Sequence, residues 1–306
     1  ILSGLVGSEM CIRDRHCVEH VGGRVVAVNA HGSVDLVALE ASLDDDVTCV
    51  SVMAVNNEVG TITDLTAVAS VVRRLAPRAL LHTDAVQAAS WIDLRKIWAH
   101  VDAMSLSAHK FGGPKGVGVL AVRQGVVFEP VILGGGQERD RRSGTHNVAG
   151  IVSCAEALRL TDLERERECS RIQGLRETLT ARLCAVDGVS RTVPDSVSVP
   201  GVAHFCIAGV ESETLLYLLD EGEVCASAAS ACASGALETS HVLAAMGVDP
   251  ALSAGALRLS LGHDTTEAHI DRAADVIIDA VTRIREMNRQ MEARRNAART
   301  SQETSP

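Results

Sequence analysis

Short apolar runs alternate with amphipathic stretches along the first half of the chain. Residues 47–55 form a nearly continuous apolar run, which is typical of a strand buried on both faces of a parallel sheet. Apolar residues recur at helical spacing between Leu65 and Leu75, and Pro77 closes that helix. Further strands are predicted at residues 24–28, 79–81 and 103–107. Repeated β-α-β units predict an open α/β sheet, whose ligands collect at the carboxyl edge.

The second half follows a different pattern. Strands are predicted at residues 202–207 and 256–262, and helices at 213–219 and 270–284. A long helix before them presents one apolar stripe, formed by Ile172, Leu175, Leu179 and Leu183. We therefore predict a large domain with a mostly parallel sheet and a smaller C-terminal α+β domain.

The domain boundaries follow from this pattern. The large domain is expected over residues 16–165, the small domain over 166–289, and a polar, frayed tail over 290–306. The charge-dense segment 162–171 is expected to be a solvated hinge. Residues 1–15 match no element of the pattern. We interpret them as foreign sequence joined at a broken reading frame, leave them out of the fold, and expect the large domain to be truncated at its N-terminus.

Composition narrows the class of protein. Apolar residues make up 46% of the 306 residues but aromatic residues only 2%, which favours an α/β protein over an aromatic-rich all-β one. A net charge of −10 argues against nucleic-acid binding as the main task. No apolar run reaches the ~18 residues that span a membrane. The 9 cysteines show no metal-binding spacing, so we expect reduced thiols in the cytoplasm and no metal site.

A lysine follows the strand predicted at residues 103–107. Ser107, His109 and Lys110 form a polar cluster that a glycine-rich turn follows. A lysine at the end of a buried strand must be desolvated or paired, which lowers the pKa of its ammonium group and frees a nucleophilic amine. Schiff-base formation with pyridoxal phosphate (PLP) needs such an amine. A surface lysine in a β-hairpin turn explains the same residues equally well.

Polar residues also follow the two preceding strands. Asp84 is either a helix N-cap or a carboxylate that keeps the pyridinium nitrogen of PLP protonated. Gln87, predicted one helical turn further on, would face the same pocket. Asn57 is either a turn former or a side-chain donor to the cofactor. The order of these residues along successive strand ends favours the interpretation as a cofactor site.

Three further features carry possible chemistry. The glycine-rich, basic segment 133–145 is either solvated charge or an anion site that includes the Thr145 hydroxyl. Residues 224–236 are almost all small, which predicts a mobile surface loop and makes Cys232 a candidate reactive thiol, whereas Cys225 is expected to be buried. Arg258, on an otherwise apolar strand, needs a structural carboxylate or a substrate carboxylate as its partner.

Six of these stretches together resemble the cysteine desulfurases of the NifS/IscS type, which are class V PLP enzymes of fold-type I. The resemblance extends from about Gly22 to Met287. It rests on six segments in compatible order and spacing: 56–60, 82–87, 107–110, 142–145, 230–234 and 258–262.

The resemblance implies a role for each candidate residue. PLP would be held by strand-end residues of the large domain: Lys110 as covalent anchor and proton carrier, Asp84 at the pyridinium nitrogen, Asn57 and Gln87 on the ring-oxygen side, and Ser107 and His109 at the phosphate. His109 counts with Lys110 and Cys232 among the implied catalytic residues.

The resemblance also implies partners and a reaction. Thr145 would reach the PLP phosphate of a second subunit in a homodimer. Arg258, together with Asn57, would bind the substrate, with the guanidinium clamping its carboxylate. Cys232 would attack the sulfur of PLP-bound L-cysteine, leaving alanine and a persulfide on the enzyme. The sulfur would then pass to scaffold or transfer proteins for iron–sulfur cluster assembly or tRNA thiolation.

One departure from the family leaves alternatives open. The family has further residues before this point, including a Gly/Ala-Thr segment that binds the phosphate and a histidine that stacks on PLP. His20 lies too close to Gly32 to be that histidine, and we expect it at a helix end. The alternatives are another class V enzyme, such as an aminotransferase or selenocysteine lyase in which Cys232 is incidental, and an inactive fragment that does not retain PLP.

Overall fold

The computed structural model describes residues 5–8, 12–228 and 240–303, which fold as two compact units. The first contains the described residues up to Asn57 together with Thr61–Cys169. The second contains Glu58–Gly60 and the described residues from Ser170 onward. The units meet in the sequence between Cys169 and Ser170, whereas the pattern-based prediction places this boundary after residue 165.

The first unit is built on a six-stranded sheet. Its strands are β1 (Leu5–Ser8), β2 (Arg24–Val26), β3 (Cys49–Met53), β4 (Leu80–Asp84), β5 (Ala103–Ser107) and β6 (Gly118–Val122). They are ordered β2-β1-β3-β4-β5-β6 across the sheet. The first five run parallel, and β6 is antiparallel to β5. The predicted α/β architecture with a mostly parallel sheet is confirmed.

Three of the six helices described in this unit begin at an aspartate that caps them. The six are α1 (Ile12–His20), α2 (Leu36–Ser42), α3 (Leu65–Leu75), α4 (Leu94–Trp98), the single turn α5 (Gln137–Asp140) and the first part of α6 (Val148–Cys184). The side chains of Asp35, Asp64 and Asp93 accept hydrogen bonds from backbone N–H groups in the first turns of α2, α3 and α4. Helix α3 has the predicted bounds. His20 lies in the last turn of α1, as expected.

Strand β1 departs from the expectation that residues 1–15 lie outside the fold. It lies in the middle of the sheet, pairing with β2 on one side and β3 on the other. Val6 is 1% exposed and contributes to the core. The pattern did not reveal this strand because it is only four residues long, too short to show a period.

The second unit is a smaller α+β fold, as predicted. Its antiparallel sheet has the order β7-β8-β9, formed by β7 (Val189–Arg191), β8 (Val202–Ile207) and β9 (Ala256–Ser260). Its helices are the rest of α6, α7 (Ser212–Glu221), α8 (His241–Ala245), α9 (Pro250–Ser253) and α10 (Glu267–Glu303). Both predicted helical stripes are buried in this unit: Ile172, Leu175, Leu179 and Leu183 on α6, and Ile270, Ala274, Ile277, Val281 and Ile284 on α10.

The long helices bear on two expectations. Segment 162–171, expected to be a solvated hinge within a helical run, is helix within α6, and the two units divide inside it, between Cys169 and Ser170. Residues 290–303, expected to be a frayed tail, extend α10 because they are rich in good helix formers such as Ala, Arg and Glu. Neither of these helices, nor any other described helix, combines the length and the apolar character that a membrane span requires.

Candidate active site

The carboxyl ends of three neighbouring parallel strands bring the predicted site residues to one edge of the first unit. Met53 at the end of β3 pairs with Asp84 at the end of β4, and Asp84 pairs with Ser105 in β5. Neighbouring strands lie about 4.8 Å apart. Ser107, which ends β5, therefore leaves the sheet one strand away from Asp84. The structure thus places these two residues at the same edge.

Lys110 closes a short 3₁₀ turn directly after β5. Ala108 and Phe111 are buried on either side of it, at 0% and 5% exposure, and anchor the turn. Lys110 itself is exposed. The expectation that its ammonium is desolvated or paired stays a prediction about the site with its cofactor bound. The turn presents a primary amine beside the end of β5.

Asp84 is half-buried and does not cap a helix. Its Oδ1 accepts a hydrogen bond from the Val86 N–H at 2.9 Å, and the chain continues as a turn through residue 91. Gln87 lies half-buried in that turn, not on the predicted helix. The N-cap interpretation of Asp84 is therefore wrong. The bond to Val86 fixes the carboxylate at the point where the chain leaves the sheet.

Ser107 and His109 are joined at the same edge. The Ser107 Oγ lies 2.8 Å from Nδ1 of His109, whose ring is exposed. Asn57 follows β3 and is half-buried within a turn that the hydrogen bond from Asn56 N–H to the Thr61 carbonyl closes. The hydroxyl, imidazole and amide groups that sequence analysis selected thus follow the ends of β5 and β3.

The glycine-rich segment that contains Thr145 has an unusual backbone. Glu138, Arg139 and Asp140 are all in the left-handed region, at φ values of 51°, 60° and 61°. Two hydrogen bonds close the segment: Gly136 N–H donates to Ser143 Oγ at 3.3 Å, and Gly144 N–H donates to Gln137 Oε1 at 3.0 Å. Thr145 follows this closed loop and is exposed.

Sequence analysis missed a hydrogen-bonded chain that links the same three strands. Ser51 Oγ of β3 lies 2.8 Å from Nδ1 of His82 in β4, and Nε2 of His82 lies 2.8 Å from Ser105 Oγ in β5. Burial lowers the pKa of His82, although the Asp84 carboxylate opposes the shift. His82 and Asp84 are two residues apart in one strand, so both side chains project from the same face of the sheet. That spacing was the available signal.

The remaining candidates belong to the second unit. Arg258 lies on β9 opposite His204 of β8, and its backbone pairs with Ser227 in both directions, at 2.6 Å and 3.1 Å. Cys232 lies outside the described residues. Cys225 is exposed, so the expectation that it is buried is wrong. The small side chains around it bury little apolar surface.

The donor set of the first unit fits PLP chemically. Lys110 offers an exposed amine, Asp84 a carboxylate fixed beside it in the sheet, and Ser107 and His109 a hydrogen-bonded pair of polar groups suited to a phosphate. Each of these groups has the chemistry that its part of the cofactor requires.

Comparisons with known proteins identify the family of this chain. The aminotransferase class-V family model matches residues 18–273. An IscS-like cysteine desulfurase of Mycobacterium tuberculosis (strain ATCC 25618 / H37Rv) is 43% identical, with 88% of this chain aligned to 69% of its length. A cysteine desulfurase of Nostoc sp. (strain PCC 7120 / SAG 25.82 / UTEX 2576) is 39% identical, with 86% of this chain aligned to 66% of its length.

A solved NifS-like protein is similar in three dimensions. It superposes with a TM-score of 0.82 at 35% identity, covering 91% of this chain and 75% of its own. The chain thus spans about two thirds of the length of its curated relatives. Sequence and structure both identify it as a member of the class-V aminotransferase family and, within that family, of the PLP-dependent cysteine desulfurases.

Proposed function

We propose that this chain converts L-cysteine to L-alanine and retains the sulfur as a persulfide on Cys232. The observation that carries the proposal is the edge at which β4 and β5 end, where Asp84, Ser107, His109 and Lys110 follow neighbouring parallel strands. Membership of the cysteine desulfurases supplies the reaction class.

The first unit holds the cofactor in this proposal. When bound, PLP supplies an electron sink for the carbon atoms of the substrate. The Lys110 amine anchors it covalently and carries protons to and from the substrate carbon atoms. Asp84 provides the negative oxygen that favours a protonated ring nitrogen, while Asn57 and Gln87 serve the ring-oxygen side. Ser107 and His109 bind the phosphate, and their mutual hydrogen bond of 2.8 Å orients both groups.

Substrate binding and sulfur transfer use the other residues. The Arg258 guanidinium binds the cysteine carboxylate through two parallel hydrogen bonds, with Asn57 as a further contact. The Cys232 thiolate attacks the substrate sulfur, so that an S–S bond forms as the C–S bond breaks. The electron pair of the broken bond stays on carbon, which takes up a proton to give alanine. We assign the delivery of that proton to His109 and Lys110, which follow β5.

A homodimer completes the proposal. Thr145 is exposed, and exposed apolar side chains lie at the start of its segment and just before it, including Leu133 at 80% and Val131 at 97% exposure. Exposed apolar groups of this extent favour a protein contact, so we assign Thr145 to the PLP phosphate of the second subunit. The persulfide would pass to a scaffold or transfer protein. The seven described cysteines carry free thiols, which supports a cytoplasmic location.

The test uses purified protein with added PLP and L-cysteine. We expect equal amounts of alanine and protein persulfide in a single turnover, and loss of covalently held PLP in Lys110→Ala, followed by its visible absorbance. Cys232→Ala should form no persulfide. Cys225→Ala is the matched control, because it removes a nearby exposed thiol and should leave both products unchanged.

Four outcomes would contradict the proposal. Undiminished alanine formation in Cys232→Ala would remove the persulfide role. Transfer of the amino group to an oxo acid would make the chain an aminotransferase, and release of selenide alone would make it a selenocysteine lyase. Protein that stays colourless after PLP is added would be an inactive fragment.

A further inference from the structure

Three side chains form a row across the sheet of the second unit. His204 in β8 is paired directly with Arg258 in β9. On its other side, the backbone N–H of Thr192, which follows β7, donates to the His204 carbonyl at 3.0 Å. Directly opposed residues of antiparallel strands have Cβ atoms about 5 Å apart on the same face. The His204 ring therefore lies between a hydroxyl and a guanidinium side chain.

Neighbouring side chains limit where the ring proton of this histidine can lie. His204 Nδ1 lies 2.7 Å from Thr192 Oγ1, which in turn lies 3.5 Å from Cys206 Sγ. Two arrangements satisfy these contacts: Nδ1 donates to the hydroxyl, which donates to the sulfur, or the thiol donates to the hydroxyl, which donates to Nδ1. In the first arrangement Nε2 bears the lone pair. This atom is buried without a hydrogen-bond partner, in a residue that is 0% exposed.

The charges around the ring favour the first arrangement. Burial is the main cause that lowers the pKa of His204, to about 3, and the neighbouring Arg258 and Arg191 add to the shift. The imidazole is therefore uncharged over the working range of an enzyme. Because Thr192 occupies the β7 side of the ring, Nε2 projects away from β7, toward the strand that carries Arg258. The first arrangement places a lone pair, and not a proton, opposite this cation, which is the electrostatically favoured choice.

We propose that His204 is a positioning residue for Arg258: its uncharged ring, oriented by Thr192, presents the Nε2 lone pair to the guanidinium and holds that group in the orientation that binds a substrate carboxylate. This proposal rests on the function proposed above for Arg258. It predicts that an uncharged neighbour in the second unit helps to orient the arginine through which amino acids are selected.

Three variants separate positioning from packing. His204→Leu removes both ring nitrogens, His204→Gln retains an acceptor, and Thr192→Val removes the hydroxyl that orients the ring while keeping its shape. We expect His204→Leu to raise the KM for L-cysteine at least 10-fold with kcat changed less than 2-fold, because binding in the ground state and the transition state is lost equally. His204→Gln should recover part of this loss, and Thr192→Val should show a smaller increase. A lower unfolding temperature with unchanged KM in His204→Leu would overturn the proposal.

A second measurement does not depend on catalysis. In ¹⁵N-labelled protein, we expect the ring of His204 to show a protonated Nδ1 and an unprotonated Nε2. We also expect the Arg258 side-chain resonances, assigned with Arg258→Lys, to show a guanidinium whose rotation is hindered in the wild type and free in His204→Leu. Unchanged rotation, or a proton on Nε2, refutes the positioning role. Hindered rotation in a protein that forms no alanine would contradict only the proposed function.

Discussion

Acid should destabilise the second unit through His204, and the size of the effect can be worked out. In the folded protein the pKa of His204 is lowered to about 3, first by burial and then by Arg258 and Arg191, from its ordinary value of 6.5. Below pH 6.5 the unfolded chain therefore binds a proton that the folded chain does not bind. The stability associated with the neutral ring is fully present above pH 6.5 and is lost as the pH falls toward 3.

The loss amounts to about 1.4 kcal/mol per pH unit within that window. Of the two pH units between 7.5 and 5.5, only the one below pH 6.5 falls in this window. Proton uptake by His204 in the unfolded chain should therefore lower the free energy of unfolding of the wild type by about 1.4 kcal/mol. Other groups titrate over the same range. His82, for example, has a pKa that burial also lowers, but it is present in every variant of His204 and cancels from a comparison.

The assay is urea unfolding followed by circular dichroism at pH 7.5 and pH 5.5, for the wild type and for His204→Gln. Between the two pH values, the free energy of unfolding of the wild type should fall by about 1.4 kcal/mol more than that of the variant. Similar slopes of free energy against urea would show that the two proteins expose comparable surface on unfolding. An equal loss in both proteins would refute the argument, because it would mean that His204 takes up its proton in the folded state.

Two further substitutions test the packing of the second unit. Gly255→Ala would place a Cβ 2.0 Å from a backbone carbonyl oxygen at the end of β8 and should lower the free energy of unfolding by about 2 kcal/mol or more. Its control is Gly174→Ala in α6, whose new Cβ meets no atom within 4 Å and which should be neutral or stabilising in the same urea assay. Arg176→Met should lower the free energy of unfolding by about 1–3 kcal/mol, because the buried guanidinium donates to the Val199 carbonyl at 2.7 Å. Its control, Arg159→Met, changes an exposed arginine and should alter the free energy of unfolding by less than about 0.5 kcal/mol. Equal effects of the paired substitutions would contradict both arguments.

Periodic apolar patterns predicted most of the fold. The buried face of α3, the stripes of α6 and α10 and strand β8 were all visible in the sequence, because each is long enough to show its period. The polar residues at the ends of β4 and β5 could also be selected from the sequence, because both strands were predicted to be parallel. The ends of parallel strands lie at the same edge of a sheet, so Asp84 and Ser107 must meet there.

The features of the site and fold that the sequence did not predict depend mostly on contacts between residues far apart in the chain. The exposure of Lys110 follows from Phe111, whose burial fixes the turn. The roles of His82 and His204 follow from strand register, because each ring is bonded or opposed by residues on neighbouring strands. The extension of α10 was missed because residues 289–297 are all exposed, so no apolar stripe marks this part of the helix and it continues by propensity.

Strand β6 has a consequence for how this protein behaves in the test tube. It pairs with β5 on one side and with no described strand on the other, and Val119 and Leu120 are 38% and 51% exposed. An open strand edge with apolar side chains is a template for edge-to-edge aggregation. Molecular mass alone would therefore confuse aggregates with the proposed dimer. Adding charge at the edge with Leu120→Lys should suppress aggregation, and a dimer that survives this change would be the one relevant to Thr145.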